Sequence, residues 1–142
     1  MVLVDSNVLT DIFTEDSDWF DWSAAQLARY RNRTALAINP IILAEVAPNF
    51  ESSDALDEAL PSIDFRRLDL PFSAAYLTGQ VFARYRRSGG KKEWPLPDFY
   101  IGAHAQVQDL ELLTRDPRRY QTYFPKVKLI APQQASDQQG MD

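Results

Sequence analysis

Four acidic residues are expected at the end of a strand, at the start of a helix or inside an apolar helix. They are Asp5, Glu45, Asp98 and Asp116. Carboxylates that lie close together repel one another, and at least one of their pKa values would have to rise. One or two divalent cations would remove this conflict, and a site made only of oxygen ligands favours Mg²⁺ or Mn²⁺. Such ions could activate water and stabilise charge on a phosphodiester.

The strands and helices predicted around these acids should bring their carboxylates close together. Asp5 ends the apolar run 2–4, and Asp116 follows the apolar segment 110–114. An unbroken apolar run is typical of a parallel strand that is buried on both faces, and ligands bind at the carboxyl ends of such strands. Glu45 is the only charge in the apolar helix expected after Pro40, and Asp98 begins a helix after Pro97. We therefore expect all four carboxylates at the same edge of a sheet.

Each acid also has an ordinary structural explanation. Asp98 and Asp116 could serve only as helix N-caps, because aspartate is among the preferred capping residues. Asp5 could be a turn former, and Glu45 could pair with a buried arginine. The four together are harder to explain without a shared site.

Strand and helix patterns alternate along the whole chain. Strands are predicted near residues 2–4, 35–38, 64–68, 110–114 and 127–130. The alternation indicates an α/β fold with a parallel sheet, right-handed crossovers and helices on both faces. Residues 1–132 are expected to form one domain, and residues 133–142 a disordered tail.

Composition limits the possible functions. The chain has 142 residues, 45% of them hydrophobic, with no Cys and one His, which excludes disulfides, thiolate chemistry and multi-His metal sites. No apolar run approaches the roughly 20 residues of a membrane span. We expect no signal peptide and a cytoplasmic location. His104 is expected at the surface or its boundary, and core aromatic side chains are expected at Phe20, Phe72, Tyr76 and Phe82.

Charge is divided unevenly along the chain, whose net charge is −5. Residues 1–64 carry 3 basic and 12 acidic side chains, whereas residues 65–142 carry 12 basic and 8 acidic ones. A local basic surface could therefore bind RNA phosphates beside an acidic centre. The candidates for this surface are Arg84, Arg86, Arg87, Lys91, Lys92, Arg115, Arg118 and Arg119. The ordinary alternative for the cluster from Arg84 to Lys92 is a solvated helix end.

A set of segments in this order resembles the PIN-domain ribonucleases, and most closely their toxin branch, VapC of VapBC modules. The segments are Val4-Asp5-Ser6-Asn7-Val8-Leu9, residues 40–46 with Ala44-Glu45, Pro97-Asp98-x-x-Ile101-Gly102-Ala103-x-Ala105, and Leu112-Leu113-Thr114-Arg115-Asp116-Pro117. The resemblance covers residues 1–132. It implies a PIN-like three-layer α/β/α fold with a five-stranded parallel sheet, metal-dependent endoribonuclease activity, homodimers, and a cognate VapB-like antitoxin.

By position, the four acids match the acidic quartet of that family, and Asn7 and Thr114 match polar positions beside it. Asp109 stands where many relatives have glycine after the helix. Aspartate tolerates the left-handed conformation that such a turn requires.

Other functions remain to be weighed. A haloacid-dehalogenase-like phosphatase also begins with an apolar strand and Asp, but it needs a second Asp where this chain has Asn7. A receiver-type phospho-acceptor would need paired acids beside Asp5. A non-catalytic PIN-like scaffold that binds RNA or protein would not need four intact acids, and it would not need metal.

Overall fold

The computed structural model describes residues 1–89 and 94–133, and their centre is a five-stranded parallel sheet. The strands are β1 (Val2–Val4), β2 (Leu36–Ile38), β3 (Phe65–Arg67), β4 (Glu111–Leu113) and β5 (Leu129–Ile130). They lie side by side in the order β3-β2-β1-β4-β5. The predicted parallel sheet is confirmed, with strand boundaries that shift by up to two residues.

Helices occupy both faces of the sheet and give a three-layer α/β/α fold. They are α1 (Ser6–Phe13), α2 (Phe20–Arg31), α3 (Pro40–Val46), α4 (Ser53–Ala59), α5 (Phe72–Arg87), α6 (Leu96–Val107) and α7 (Arg118–Tyr123), with a 3₁₀ turn at Ala47–Asn49. Within residues 1–89 and 94–133, no helix has the length and apolar character to cross a membrane.

Strand β1 is the centre of the sheet and of the core. All three of its residues are fully buried, and it pairs with β2 on one side and β4 on the other. The strand order changes direction here, because the chain moves outward from β1 to β3 and then returns to place β4 on the other side of β1. Ligands of open α/β sheets bind at such a switch point, beyond the carboxyl ends of the strands.

Helix ends show which acids act as caps. Asp5 is the N-cap of α1, and its side chain accepts a hydrogen bond from the Ser6 amide. Helix α6 begins at Leu96, two residues before Asp98, and α7 begins after Pro117 without a side-chain cap. The capping explanation is therefore wrong for Asp98 and Asp116.

Two expectations about burial are wrong. His104 is completely buried, whereas Phe72 and Tyr76 are 94% and 72% exposed. Helix α5 turns Ala74 and Thr78 inward, because small side chains on that face let it pack closely on α6. Phe72 and Tyr76, one helical turn apart, therefore lie on the outer face of α5.

The predicted disordered tail falls outside the described residues except for Gln133.

Candidate active site

Asp5 is the most strongly held of the four acids. It is 4% exposed. Its Oδ1 accepts the Ser6 amide at 2.8 Å, and its Oδ2 accepts the Thr114 hydroxyl at 2.8 Å and the Tyr120 hydroxyl at 3.0 Å. Burial raises the pKa of Asp5, although these three donors pull it down. A buried carboxylate fixed from three directions keeps one orientation.

Glu45 joins Asp5 through a serine that lies between them. The Ser6 hydroxyl donates to Glu45 Oε1 at 3.0 Å, which links α1 to α3. Loss of water around the carboxylate raises the pKa of Glu45, and the negative charges of Asp98 and Asp5 add to this effect. Glu45 nevertheless lies on the exposed side of α3, so it forms the open rim of the group.

Asp98 and Asp116 are joined by one arginine. Arg119 donates from Nη1 to Asp98 Oδ2 and from Nη2 to Asp116 Oδ2, the second at 3.2 Å. Arg118 adds a longer contact to Asp116, at 3.4 Å. Burial raises the pKa of Asp98, and the positive charge of Arg119 opposes that rise.

The predicted polar residues connect the ends of the two central strands. Asn7 Nδ2 donates to the Thr114 hydroxyl at 3.2 Å, and Asn7 Oδ1 accepts the Arg115 amide at 3.3 Å. The Thr114 hydroxyl also accepts the Asp116 amide at 3.1 Å. These bonds bring the segment after β1 and the segment after β4 together.

An ion pair between the buried Asp11 and Arg115 holds the loop after β4 against α1. The sequence did not lead us to expect this contact. Asp11 is 1% exposed and contacts Arg115 Nε with both oxygens, at 2.9 and 3.1 Å. Ser23 donates to the same carboxylate at 2.8 Å, and the Arg115 guanidinium lies 5.7 Å over the Trp19 ring. The available signal was Asp11 itself, an acid on the otherwise apolar buried face of α1.

Ser6 and Tyr120 are the other functional residues that sequence reasoning missed. Ser6 follows Asp5 directly, and Tyr120 lies about one helical turn beyond Asp116, so both were near predicted site residues. The hydrogen bond from Tyr120 spans 115 positions of the chain, and local patterns cannot reveal such a contact.

The chain can now be placed among known proteins. Residues 2–125 match the family model of the PIN domain. The chain belongs to the PIN domain family. No curated protein matches it significantly in sequence.

Solved structures of similar fold cover from 78% to 94% of this chain. VapBC2 from Rickettsia felis, bound to a DNA fragment from its promoter, has a TM-score of 0.72 at 16% identity over 94% of this chain and 100% of the other. A toxin–antitoxin complex from Klebsiella pneumoniae has a TM-score of 0.69 at 21% identity over 94% and 99%. VapC20 from Mycobacterium tuberculosis, described as a sarcin–ricin-loop-cleaving toxin, has a TM-score of 0.53 at 12% identity over 78% and 85%.

The basic residues of this PIN domain fall into two groups. Arg115, Arg118 and Arg119 form ion pairs with acids of the site and its support. The other arginines predicted to bind RNA are exposed at the end of α5 and are Arg84, Arg86 and Arg87. Lys91 and Lys92 lie outside the described residues.

Aromatic packing links the end of α5 to the acids. Tyr85 stacks on Trp94 with ring centroids 5.5 Å apart, and its hydroxyl accepts the Trp94 amide at 3.0 Å. The Arg119 guanidinium lies over the Trp94 ring, 5.9 Å from its centroid. The end of α5, which carries the exposed arginines, is therefore connected to the acid site through two rings.

A buried histidine fixes the two helices that carry Glu45 and Asp98. The Asn39 side-chain oxygen caps α3 by accepting the Ile42 amide, so its Nδ2 must donate to His104 Nδ1, at 3.0 Å. His104 Nε2 then carries the proton and donates to Gln108 Oε1 at 2.9 Å. Burial lowers the pKa of His104, which keeps the ring neutral. This network ties the start of α3 to α6.

The donor chemistry of the site suits a hard divalent cation, since every candidate ligand is an oxygen. The spacing does not form a finished coordination shell. Within residues 1–89 and 94–133, no three His, Cys, Asp or Glu side chains converge closely enough to hold a metal ion. The Arg119 guanidinium lies between the carboxylates of Asp98 and Asp116.

Proposed function

We propose that this PIN domain is a Mg²⁺- or Mn²⁺-dependent endoribonuclease that acts as the toxin of a toxin–antitoxin pair. The observation that carries the proposal is the arrangement of Asp5, Glu45, Asp98 and Asp116 around the switch point of the sheet. The similar structures include VapBC2, a toxin–antitoxin complex and VapC20, a toxin that cleaves the sarcin–ricin loop, which supports the same conclusion. Family membership also removes the haloacid-dehalogenase-like and receiver-type alternatives.

The four acids are the residues that would hold the divalent cation. When bound, the cation would supply an activated water and neutralise charge on the scissile phosphate. The chain's own contribution is to orient Asp5 through Ser6, Thr114 and Tyr120. Because the pKa values of Asp5, Glu45 and Asp98 are raised, protons compete with metal, and metal affinity is expected to fall as the pH is lowered.

RNA would approach over the basic end of α5. Arg84, Arg86 and Arg87 are exposed there, and phosphate contacts dominate affinity for nucleic acids. An acidic centre beside basic residues would hold the backbone while leaving the scissile phosphate near the carboxylates.

The proposed partners are a VapB-like antitoxin and a second copy of this chain. The antitoxin would restrain the nuclease by placing a cationic side chain among the carboxylates. Homodimerisation is supported by Phe72 and Tyr76, which expose aromatic surface one turn apart on α5. Phe72→Glu should convert a dimer to a monomer in light scattering, and a monomeric wild-type protein would contradict this part of the proposal.

RNA cleavage with purified protein tests the central claim. Asp5→Asn, Glu45→Gln and Asp98→Asn should each abolish cleavage in Mg²⁺ or Mn²⁺ while the circular dichroism spectrum is kept, because each removes charge but little volume. Glu58→Gln, which makes the same change on the exposed surface of α4, is the matched control.

Thermal denaturation separates this proposal from a non-catalytic scaffold. Mg²⁺ or Mn²⁺ should raise the melting temperature of the wild type, since a ligand that binds only the native state stabilises it. A variant with all four acids replaced by Asn or Gln should lose that response. Equal melting temperatures in EDTA and in Mn²⁺, together with absent cleavage, would favour the scaffold.

A further inference from the structure

Arg119 is the cation that lies among the carboxylates of the candidate site. Its two terminal nitrogens contact different acids, Asp98 and Asp116, and its side chain is 25% exposed. The preceding residue differs in both respects, since the Arg118 side chain is 75% exposed and, within residues 1–89 and 94–133, forms an ion pair with Asp116 alone. Arg119 thus bridges two elements of the site, the first turn of α6 and the loop before α7.

The charge of Arg119 acts beyond its two direct partners. It opposes the burial that raises the pKa of Asp98, and it also lowers the pKa values of Asp5 and Glu45. Because arginine is not deprotonated in proteins, the guanidinium keeps its charge and relieves part of the repulsion within the acid cluster.

A divalent cation would need the oxygen atoms that Arg119 now contacts. Asp98 Oδ2 and Asp116 Oδ2 accept the two guanidinium bonds, and a fixed positive charge beside them would repel a second cation. We propose that Arg119 is a built-in competitor for divalent metal, and that it must leave Asp98 and Asp116 before these acids can join Asp5 and Glu45 around the ion. This inference rests on the proposed function.

The fluorescence of Trp94 should report the movement of Arg119 away from the two carboxylates. The Arg119 guanidinium lies 5.9 Å over the Trp94 ring, which is half-buried and stacked on Tyr85. When Arg119 leaves the two carboxylates, the charge beside this indole changes position. Trp19 and Trp22 are the other two tryptophans of the chain, and both can be replaced with phenylalanine to leave Trp94 as the single reporter.

Calorimetric titration with Mg²⁺ tests the competition directly. Arg119→Gln should bind Mg²⁺ about tenfold more tightly than the wild type, because the ion no longer displaces a charge-assisted hydrogen-bonded pair. Arg119→Lys should fall between them, since an ammonium keeps the charge without the two-pronged contact. Arg66→Gln removes the same charge from the exposed edge strand β3 and should leave the Mg²⁺ dissociation constant within about twofold of the wild type.

Fluorescence of the single-tryptophan protein gives the second measurement. Mg²⁺ should change the emission of Trp94 when Arg119 is present and leave it unchanged in Arg119→Gln. Wild type and Arg119→Gln with the same Mg²⁺ dissociation constant, or weaker binding in the variant, would overturn only the role of Arg119. If neither protein binds Mg²⁺, the inference and the proposed metal dependence both fail.

Discussion

Replacing Tyr120 with phenylalanine removes one buried hydroxyl and leaves the ring. That hydroxyl donates to Asp5 Oδ2 at 3.0 Å, and Tyr120 is 1% exposed, so no water can take its place without rearrangement. Asp5 keeps its bonds from Thr114 and the Ser6 amide, so the loss lies at the lower end of the range for hydrogen bonds to charged groups, roughly 1–2 kcal/mol. The melting temperature should fall by about 3–6 °C.

The effect of Tyr120→Phe should depend on pH with a definite sign. Burial raises the pKa of Asp5 and the Tyr120 bond lowers it, so the variant should have a higher Asp5 pKa than the wild type. The wild type's advantage in unfolding free energy is complete where Asp5 is ionised in both proteins. It is lost as the pH falls through the pKa of the variant and then that of the wild type. The acid limb of RNA cleavage should shift to higher pH in the same direction.

Urea denaturation over a series from about pH 8 to about pH 3, below the ordinary pKa of an aspartate, measures this difference. Tyr123→Phe is the matched control, because Tyr123 lies on the same helix and its ring packs on Trp94 and Phe99 instead of contacting Asp5. A loss in Tyr120→Phe that is the same at every pH, or no larger than that in Tyr123→Phe, would refute the assigned role of the hydroxyl.

Three further predictions concern packing, protonation and RNA. Gly102→Ala should lower the free energy of unfolding, measured with urea, by about 1–3 kcal/mol, because the new Cβ would lie within 3.0 Å of three atoms of the buried Phe124 ring. Gly79→Ala is the control: its Cβ would meet nothing within 4 Å, so it should stabilise α5. Burial lowers the pKa of His104 from 6.5, so its stabilising effect is complete above that pH, and the advantage of wild type over His104→Phe should shrink as the pH falls below it. Charge reversal at Arg86 and Lys91 should weaken RNA binding and flatten its salt dependence, and an unchanged salt slope would place these residues away from RNA.

Features set by short-range chemistry were predictable from the sequence. The apolar run before Asp5 forms the fully buried central strand, and Asn39 with Pro40 starts α3 as the residue types indicate. Asp109 has a φ of 53°, the left-handed conformation that aspartate was expected to tolerate after α6. In each case the residue and its nearest neighbours contain the whole reason for the structure.

Features that depend on which surface a neighbour covers could not be predicted. The spacing of Phe72 and Tyr76 places them on one face of α5, but only the packing of α6 on the opposite face leaves that pair exposed. His104 carries no local sign that Asn39, 65 positions away, will pair with it inside the core. The same limit applies to Tyr120, which donates its hydrogen bond to Asp5 at the end of β1.

The hydrogen bonds of Asp5 have a consequence for the time at which this protein can become active during translation. Asp5 is made long before two of its partners, Thr114 and Tyr120, which follow 109 and 115 positions later. A ribosome that has produced β1, β2 and β3 has produced none of the side chains that close the site from the β4 side. The proposed nuclease centre is therefore assembled only after residue 120 has been synthesised, and a chain cut short before residue 114 releases a fragment without it.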